Sequence, residues 1–272
     1  MKKTFGLRLR SMRETNNLSQ QQLANMLGIS RPTLAQMELG NRKVKTEELQ
    51  KLSEIFDISI ETLLSWASQD TDITITLDQS EKFKQLMLYI LTKVWSKYNV
   101  GKTVLYKLLY FSEFDYYELT WEQLSWYPFV RLPMWPAPYD FNTLVDEMKN
   151  NNELATVTTK MIDYYQQRFV PNVAVGDWFS DQQKKCINDV LANYSNYSAS
   201  EISEKSHEDK PRQMTKDMQL IEYDLVRFRE YPYSPLARAN AKHTAQQEAI
   251  ASGFADDAKD EPDLYEDYRQ YV

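Results

Sequence analysis

A mainly α-helical protein is expected from these 272 residues. In most apolar stretches the large side chains recur at three- and four-residue spacing, the period of a helix. Ser residues stand at the starts of several such stretches, where helices take their N-caps. Glycines number six while aromatic residues make up 13%, a balance that suits helices with large side-chain contacts and not glycine-rich phosphate loops. Strand-like alternation is short and infrequent, so a few short strands are expected in the second half. Hydrophobic residues at 42% provide a core, and the length accommodates two modest domains.

The first domain is expected over residues 1–66. Phe5, Leu7, Leu9 and Met12 mark a first helix. Ser19 caps a second, whose apolar positions are Leu23, Ala24, Met26 and Leu27. Gly28 ends it in the left-handed conformation a tight turn needs, and Ile29 plugs the turn into the core. Ser30 caps the third helix, with Pro32 in its first turn, where the missing amide proton costs little. Leu34 and Met37 face inward, which leaves Arg31, Thr33 and Gln36 outward. Leu49, Leu52, Ile55 and Phe56, then Ile60, Leu63, Leu64 and Trp66, complete a five-helix bundle.

A helix-turn-helix of this kind places the N-terminal half of its second helix in the major groove of double-stranded DNA. Arg31 suits guanine O6 and N7 or a phosphate, Gln36 suits adenine, and the Thr33 methyl suits thymine. Ser30 starts the same helix. Gln20, at the start of the preceding helix, is placed to meet phosphate, and Arg42, Lys43 and Lys45 follow to neutralise the backbone. Charge agrees. Residues 1–66 hold ten Lys/Arg and seven Asp/Glu, net +3, which leaves −10 for the remainder of a chain at −7. A basic head on an acidic body meets DNA through the head. The run Gln20-x-x-Leu23-Ala24, then Gly28-Ile29-Ser30, then Glu38-x-Gly40 resembles the phage-repressor (Xre/Cro) family. The resemblance implies a repressor-like bundle that binds an operator as a dimer.

Residues 67–79 are expected to be a linker, with Ile73 to Leu77 alternating as one short strand would. The second domain is expected over 80–235. Ser80 to Tyr98 carries Phe83, Leu86, Met87, Ile90, Leu91, Val94 and Trp95 at helical spacing, and Lys102 to Leu119 is apolar nearly all round, as a central buried helix is. The prolines at 128, 133, 136 and 138 force an extended loop with an edge strand. Asp140 begins a helix over Phe141 to Lys149, and strand pieces and an aromatic patch (Tyr164, Tyr165, Phe169) fall between Leu154 and Val173. Ser180 caps a helix to Tyr194, and Ser198 caps another to Ser206. Residues 236–272 are expected to be an acidic, partly disordered tail, with seven acids from Ala255 onward against Lys259 and Arg269.

Three pieces of the second domain carry a further resemblance. They are Lys107 to Asp115 (KLLYFSEFD), Pro136 to Phe141 (PAPYDF), and Ser198 to Ser203 (SASEIS) leading to Ser206-His207. Their order and separation, over roughly Ser80 to Pro211, resemble the Panacea antitoxin domain, the family that includes the SocA proteolytic-adaptor antitoxin. Trp135 stands where that family usually has a glycine before the middle piece. The resemblance implies a mostly helical domain without catalysis that neutralises a protein toxin encoded nearby. Aromatics offer large contact area at low entropic cost, and acids pair with a basic partner. Trp126, Tyr127, Trp135 and Tyr139 in the proline-rich loop are the candidate toxin contacts, with core packing as the alternative.

The chemistry of other classes is missing from the sequence. With two histidines and one cysteine, there is no Cys-x-x-Cys, no His-Glu-x-x-His and no complete phosphate loop, so no metal, cofactor or enzymatic activity is expected. Gly101-Lys102-Thr103 lacks the upstream glycine of a P-loop. Glu113, Asp115 and Glu118 are read as partners of ion pairs or tyrosines before acid–base catalysts, His207 as structural, and Cys186 as a core filler. The single cysteine, the lack of a signal pattern and the shortness of the stretch Leu86 to Trp95 fit a cytoplasmic protein away from membranes. Three other functions remain open: a repressor with a ligand-sensing second domain, an adaptor that delivers the toxin to a protease, and a hydrolase using Glu113 and Asp115.

Overall fold

The computed structural model describes residues 3–16, 18–60, 63, 73–132, 135–160 and 165–251. The head comprises α1 (Lys3–Thr15), α2 (Gln20–Leu27), α3 (Arg31–Glu38) and α4 (Thr46–Phe56). The Ser19 hydroxyl accepts from the Gln22 amide at 3.2 Å while the Gln22 side chain accepts from the Ser19 amide at 2.8 Å, a reciprocal cap that fixes where α2 starts. Gly28 adopts φ +72° and lets the chain turn directly into α3, where the Ser30 hydroxyl accepts from the Thr33 amide. Phe5, Leu9, Met12, Leu23, Leu27, Leu34, Met37 and Leu52 form the buried centre.

Glu38 clamps the head. Arg13 donates to it through Nε at 2.6 Å and Nη2 at 3.2 Å, and Gln20 adds a third bond at 2.8 Å. A Cβ on Gly6 would lie 2.3 Å from the Glu38 carbonyl oxygen, so α1 crosses the end of α3 at a distance only glycine allows. Two expected core residues, Met26 and Ile60, are exposed. Met26 sits roughly a quarter turn from the centre of the Leu23–Ala24–Leu27 stripe. The fifth helix falls mostly outside the described residues, as do Leu64 and Trp66; Leu63 is buried.

The body is built round one helix. α5 (Leu77–Val94) starts three residues earlier than its apolar pattern suggests, because Thr76 and Gln79 form another reciprocal cap. Residues 73–76 form no strand. α6 (Lys102–Thr120) is buried on every side, as its all-round apolar pattern predicts. Strands β1 (Phe129–Arg131) and β2 (Pro136–Pro138) pair antiparallel, Val130 opposite Ala137. Next come α7 (Phe141–Asn150) and a longer hairpin of β3 (Leu154–Lys160) and β4 (Tyr165–Pro171), with Leu154 opposite Pro171. Asp140 precedes α7 at φ +46° without capping an amide; its carboxylate accepts from the Thr143 hydroxyl instead. Tyr164 and the side chain of Tyr165 fall outside the described residues, while Phe169 is buried against Phe141.

Helices α8 (Asp181–Tyr194), α9 (Ala199–Glu208) and α10 (Lys210–Met214), a 3₁₀ turn (Tyr223–Phe228) and α11 (Pro235–Ala251) complete the body. α5, α8, α9, α11, the 3₁₀ turn and strands β2 and β4 all pack on α6. Aromatic pairs lock these layers, with Phe111 stacked on Tyr194 at 4.3 Å and Phe114 on Tyr223 at 4.5 Å. The stretch expected to begin a loose tail is helical through Ala251, and its first turn is anchored: Ala239 is buried and Arg238 donates to Asp115 at 2.7 Å. Residues 252–272, with the acidic run, lie outside the described residues.

Candidate nucleic-acid interface and partner surface

The outer face of α3 is set by its inner one. Leu34 and Met37 are buried, so Arg31 and Gln36 project outward and Thr33 stands half-exposed beside them. The Thr33 hydroxyl lies 2.8 Å from that of Ser30, and Asn41 donates to the Gln36 side-chain oxygen at 3.1 Å, bonds that orient both side chains. Lys43 and Lys45 are exposed. Arg42 is held by a two-pronged pair with Glu48, at 3.0 and 2.8 Å, and that hydrogen bonding raises the guanidinium pKa further. Gln20 points into the head toward Glu38, so one of its side-chain donors is already occupied. The eight residues named for DNA therefore divide. Ser30, Arg31, Thr33 and Gln36 share the start and outer face of one helix, Lys43 and Lys45 stand exposed after it, and Gln20 and Arg42 double as struts.

The four aromatics of the proline-rich loop separate more sharply. Trp126 is 56% exposed. Tyr127 is 2% exposed, stacks on Phe83 at 4.0 Å and donates to the Tyr139 carbonyl, so it is core and not a partner contact. At Trp126 the backbone takes φ +64°. Trp135 and Tyr139 are half-buried. Sequence reasoning missed Trp121, which ends α6 in the left-handed conformation and leaves its indole half-exposed, and Phe228 on the 3₁₀ turn. Tyr117 joins the two regions: its ring meets Trp121 at 5.7 Å and Tyr223 at 5.4 Å, and its hydroxyl donates to Asp224. Trp121 and Trp126 follow α6 in the chain and Phe228 ends the 3₁₀ turn that packs on it; all three are exposed, as are the acidic Glu122, Glu222 and Asp224.

The three carboxylates of α6 are all buried. Arg229 donates to Asp209 at 2.8 and 2.6 Å, to Asp115 at 2.9 Å and to Glu118 at 3.3 Å, and Tyr110 donates to Asp209 at 2.7 Å. Burial works against the Arg229 charge, but Asp209 and Asp115 raise its pKa well above the usual arginine value. Burial lifts Glu118 to about 7, outweighing Arg229 and Ser234. Glu113 accepts from the Ser125 amide at 3.1 Å, from the Ser125 hydroxyl and from Tyr223 at 3.4 Å. Burial carries its pKa to about 7 as well. Cys186 is buried and its thiol pKa is pushed up by that burial.

One measurable consequence concerns pH. The Glu113 pKa is higher folded than unfolded, so its stabilising contribution is complete below the unfolded value of 4.5 and is lost as pH rises through about 7. Glu113→Gln should therefore flatten the fall in unfolding free energy between pH 5 and pH 8 by ~2 kcal/mol. Urea unfolding at several pH values checks this; parallel curves for the two proteins would refute it.

A cleft of about 530 Å³ lies where head meets body, with Arg10 and Ser19 on one side and Lys102, Trp135, Lys149 and Gln166 on the other. Arg10 pairs with Asp146 across it at 3.3 Å. Beneath Trp135 the Lys107 ammonium, fully buried and without a hydrogen-bond partner among the described residues, sits 5.1 Å from the indole ring, and burial pushes its pKa well below the ordinary lysine value. Among the described residues no group of three or more His, Cys, Asp or Glu is disposed to hold a metal ion, and no helix is long and apolar enough to cross a membrane.

The fold and its exposed recognition helix define a DNA-binding regulator with a second, helical domain. Residues 9–63 match the helix-turn-helix family model, and residues 105–211 match the family described as Antitoxin SocA-like, Panacea domain. The chain thus carries an N-terminal helix-turn-helix domain and a SocA-like Panacea antitoxin domain. Similar proteins are HTH-type transcriptional regulators. The SPbeta prophage-derived uncharacterized HTH-type transcriptional regulator YonR of Bacillus subtilis is 29% identical over 107 residues, covering 35% of this chain and 99% of its own length. The uncharacterized HTH-type transcriptional regulator YqaE of the same organism is 36% identical over 66 residues, or 24% of this chain. A counterpart from Mycobacterium tuberculosis is 36% identical over 91 residues, or 30% of this chain. This chain spans 57% and 65% of the length of the latter two.

Proposed function

We propose that the protein is the antitoxin of a type II toxin–antitoxin system, acting in the cytoplasm. The body neutralises a toxin encoded nearby by direct contact, and the head represses the shared operon. The observation that carries this reading is the presence of a helix-turn-helix and a SocA-like antitoxin domain in one chain. Residues 1–66 form the operator-binding unit, 67–79, whose last three residues already belong to α5, the link, and 80–235 the neutralising unit, to which the first turn of α11 is tied through Arg238 and Ala239. The protein binds as a dimer, with two α3 helices entering half-sites about one DNA turn apart. Ser30, Arg31, Thr33 and Gln36 address bases and the nearest backbone, while Gln20, Arg42, Lys43 and Lys45 address phosphates. The toxin contact is the aromatic and acidic patch round Trp121, Trp126 and Phe228. Exposed indoles bordered by carboxylates supply buried area and complement a basic, nucleic-acid-directed toxin. No catalytic step is involved.

Co-expression tests this. The product of the adjacent gene should arrest growth alone and be harmless alongside this protein. Trp121→Ser with Trp126→Ser should weaken the complex at least tenfold by titration calorimetry, given that buried aromatic anchors contribute ~2 kcal/mol or more each. An adjacent product that is harmless alone, or a double variant that binds and rescues undiminished, would refute the assignment.

A further inference from the structure

We propose that the contact between head and body is autoinhibitory: the body grips α1 and stands against the start of α2, and release of this grip raises the affinity of the head for duplex DNA. The grip is built on two arginines. Arg8 and Arg10 flank the side of α1 opposite its core residues Phe5, Leu9 and Met12. Arg10 pairs with Asp146 of α7 at 3.3 Å. Arg8, only 5% exposed, lines with Arg10 a narrow gap whose other walls belong to the body, among them Val130, Leu132, Tyr139 and Met218. Burial lowers its pKa, and Tyr139 works against that. The same helix braces α3, since Arg13 holds Glu38 and Gly6 lies against the Glu38 carbonyl. One side of α1 thus fixes the recognition helix while the other is held by the body.

The body also obstructs what DNA must reach. In a helix-turn-helix the first helix of the pair crosses the sugar–phosphate backbone while the second enters the groove. Here the first helix is α2. Leu18 and Ser19, which lead into it, line the cleft between head and body, and Lys102, Gln166 and Gln167 stand on the other side. At about 530 Å³ the cleft has the room of a small-molecule site and not of a duplex. A DNA backbone that reaches the start of α2 therefore displaces the body.

The grip is loose enough to open. Among the described residues no backbone hydrogen bond joins head to body. Arg10 and Asp146 are both part-exposed, and an ion pair in that setting contributes little. A closed state held in this way leaves a minor open population, and the apparent affinity for DNA falls in proportion to that population.

The test uses the full chain and a random-sequence duplex at fixed ionic strength. Arg8→Ala with Arg10→Ala should bind about fivefold more tightly than the parent, with a larger radius of gyration by small-angle X-ray scattering before DNA is added. Loss of two cations by itself weakens binding to phosphate, so the sign separates release from charge. Should that pair fail to fold, Asp146→Asn should tighten binding, and Asp177→Asn, the same charge change at an exposed site ahead of α8, should not. The converse uses Arg10→Cys with Asp146→Cys joined by a short bismaleimide, a reagent from which buried Cys186 is shielded. The cross-linked protein should bind more weakly than the unlinked one. An unexpanded radius, binding that is weaker or unchanged on release, or a cross-link without effect overturns the inference. It rests on the reading that the head meets DNA through α2 and α3: a parent that ignores the duplex refutes that reading as well, whereas duplex binding indifferent to release refutes the inference alone.

Discussion

Arg229→Met is expected to cost the body about 3–5 kcal/mol, because it removes the cation and leaves its partners buried. Asp115 then keeps its bond from Arg238, while Asp209 keeps only the neutral Tyr110 hydroxyl and Glu118 the Ser234 hydroxyl among the bonds described above. A loss of that size is a large part of the total stability of a domain, ~5–15 kcal/mol. The sign of the pH response separates this cause from simple loss of packing. Arg229 holds the Glu118 pKa down against burial, so without the guanidinium folded Glu118 binds its proton more tightly still than in the unfolded chain, and the stability that gives is present at low pH and lost as pH rises. Lowering pH from 8 to 5 should therefore recover part of the deficit. Urea unfolding followed by tryptophan fluorescence reads both effects. A variant as stable as the parent at pH 8, or one whose deficit ignores pH, would show that the charge network does not hold the body together.

The second large effect concerns DNA. Arg31→Ala with Gln36→Ala should remove two side chains positioned for bidentate base contacts, each worth about 1–3 kcal/mol of discrimination. The combined loss for the DNA upstream of the protein's own gene is expected to exceed a hundredfold, ~3 kcal/mol or more. Both residues lie on the exposed face of α3, away from Leu34 and Met37, so the head stays folded and circular dichroism should not change. Footprinting measures the outcome. A retained footprint would move the recognition surface elsewhere on the head.

Local signals in the sequence proved the most legible. Ser19, Ser30, Ser180 and Ser198 each cap the helix their position announces, because a cap is decided within four residues. The all-round apolar pattern of α6 placed it at the centre. Long-range pairing was hidden. Nothing near Asp115 foretells a guanidinium 114 residues away, and nothing in the Ala- and Gln-rich run after Pro235 shows that Arg238 will reach the same carboxylate. That run looked like solvated tail by composition, yet one cation anchors its start. Tyr127 illustrates another limit: neighbouring aromatics in a proline-rich loop look alike in sequence, yet Tyr127 packs in the core against Phe83 while Trp126 stands on the surface. Of the three exposed aromatics proposed to meet a partner, the sequence names Trp126; Trp121 and Phe228 escape it, because their exposure depends on how the helix end and the 3₁₀ turn pack.

The separation of Arg229 from Asp115 also bears on synthesis. At roughly 5–20 residues per second a ribosome completes the head while the body is still emerging. Asp115 and Glu118 leave the exit tunnel more than a hundred residues before the Arg229 guanidinium that pairs with them, 114 and 111 positions later in the chain. Until then the nascent body lacks the ion that closes its centre, on the order of ten seconds in which translation, and not diffusion, sets the pace of folding.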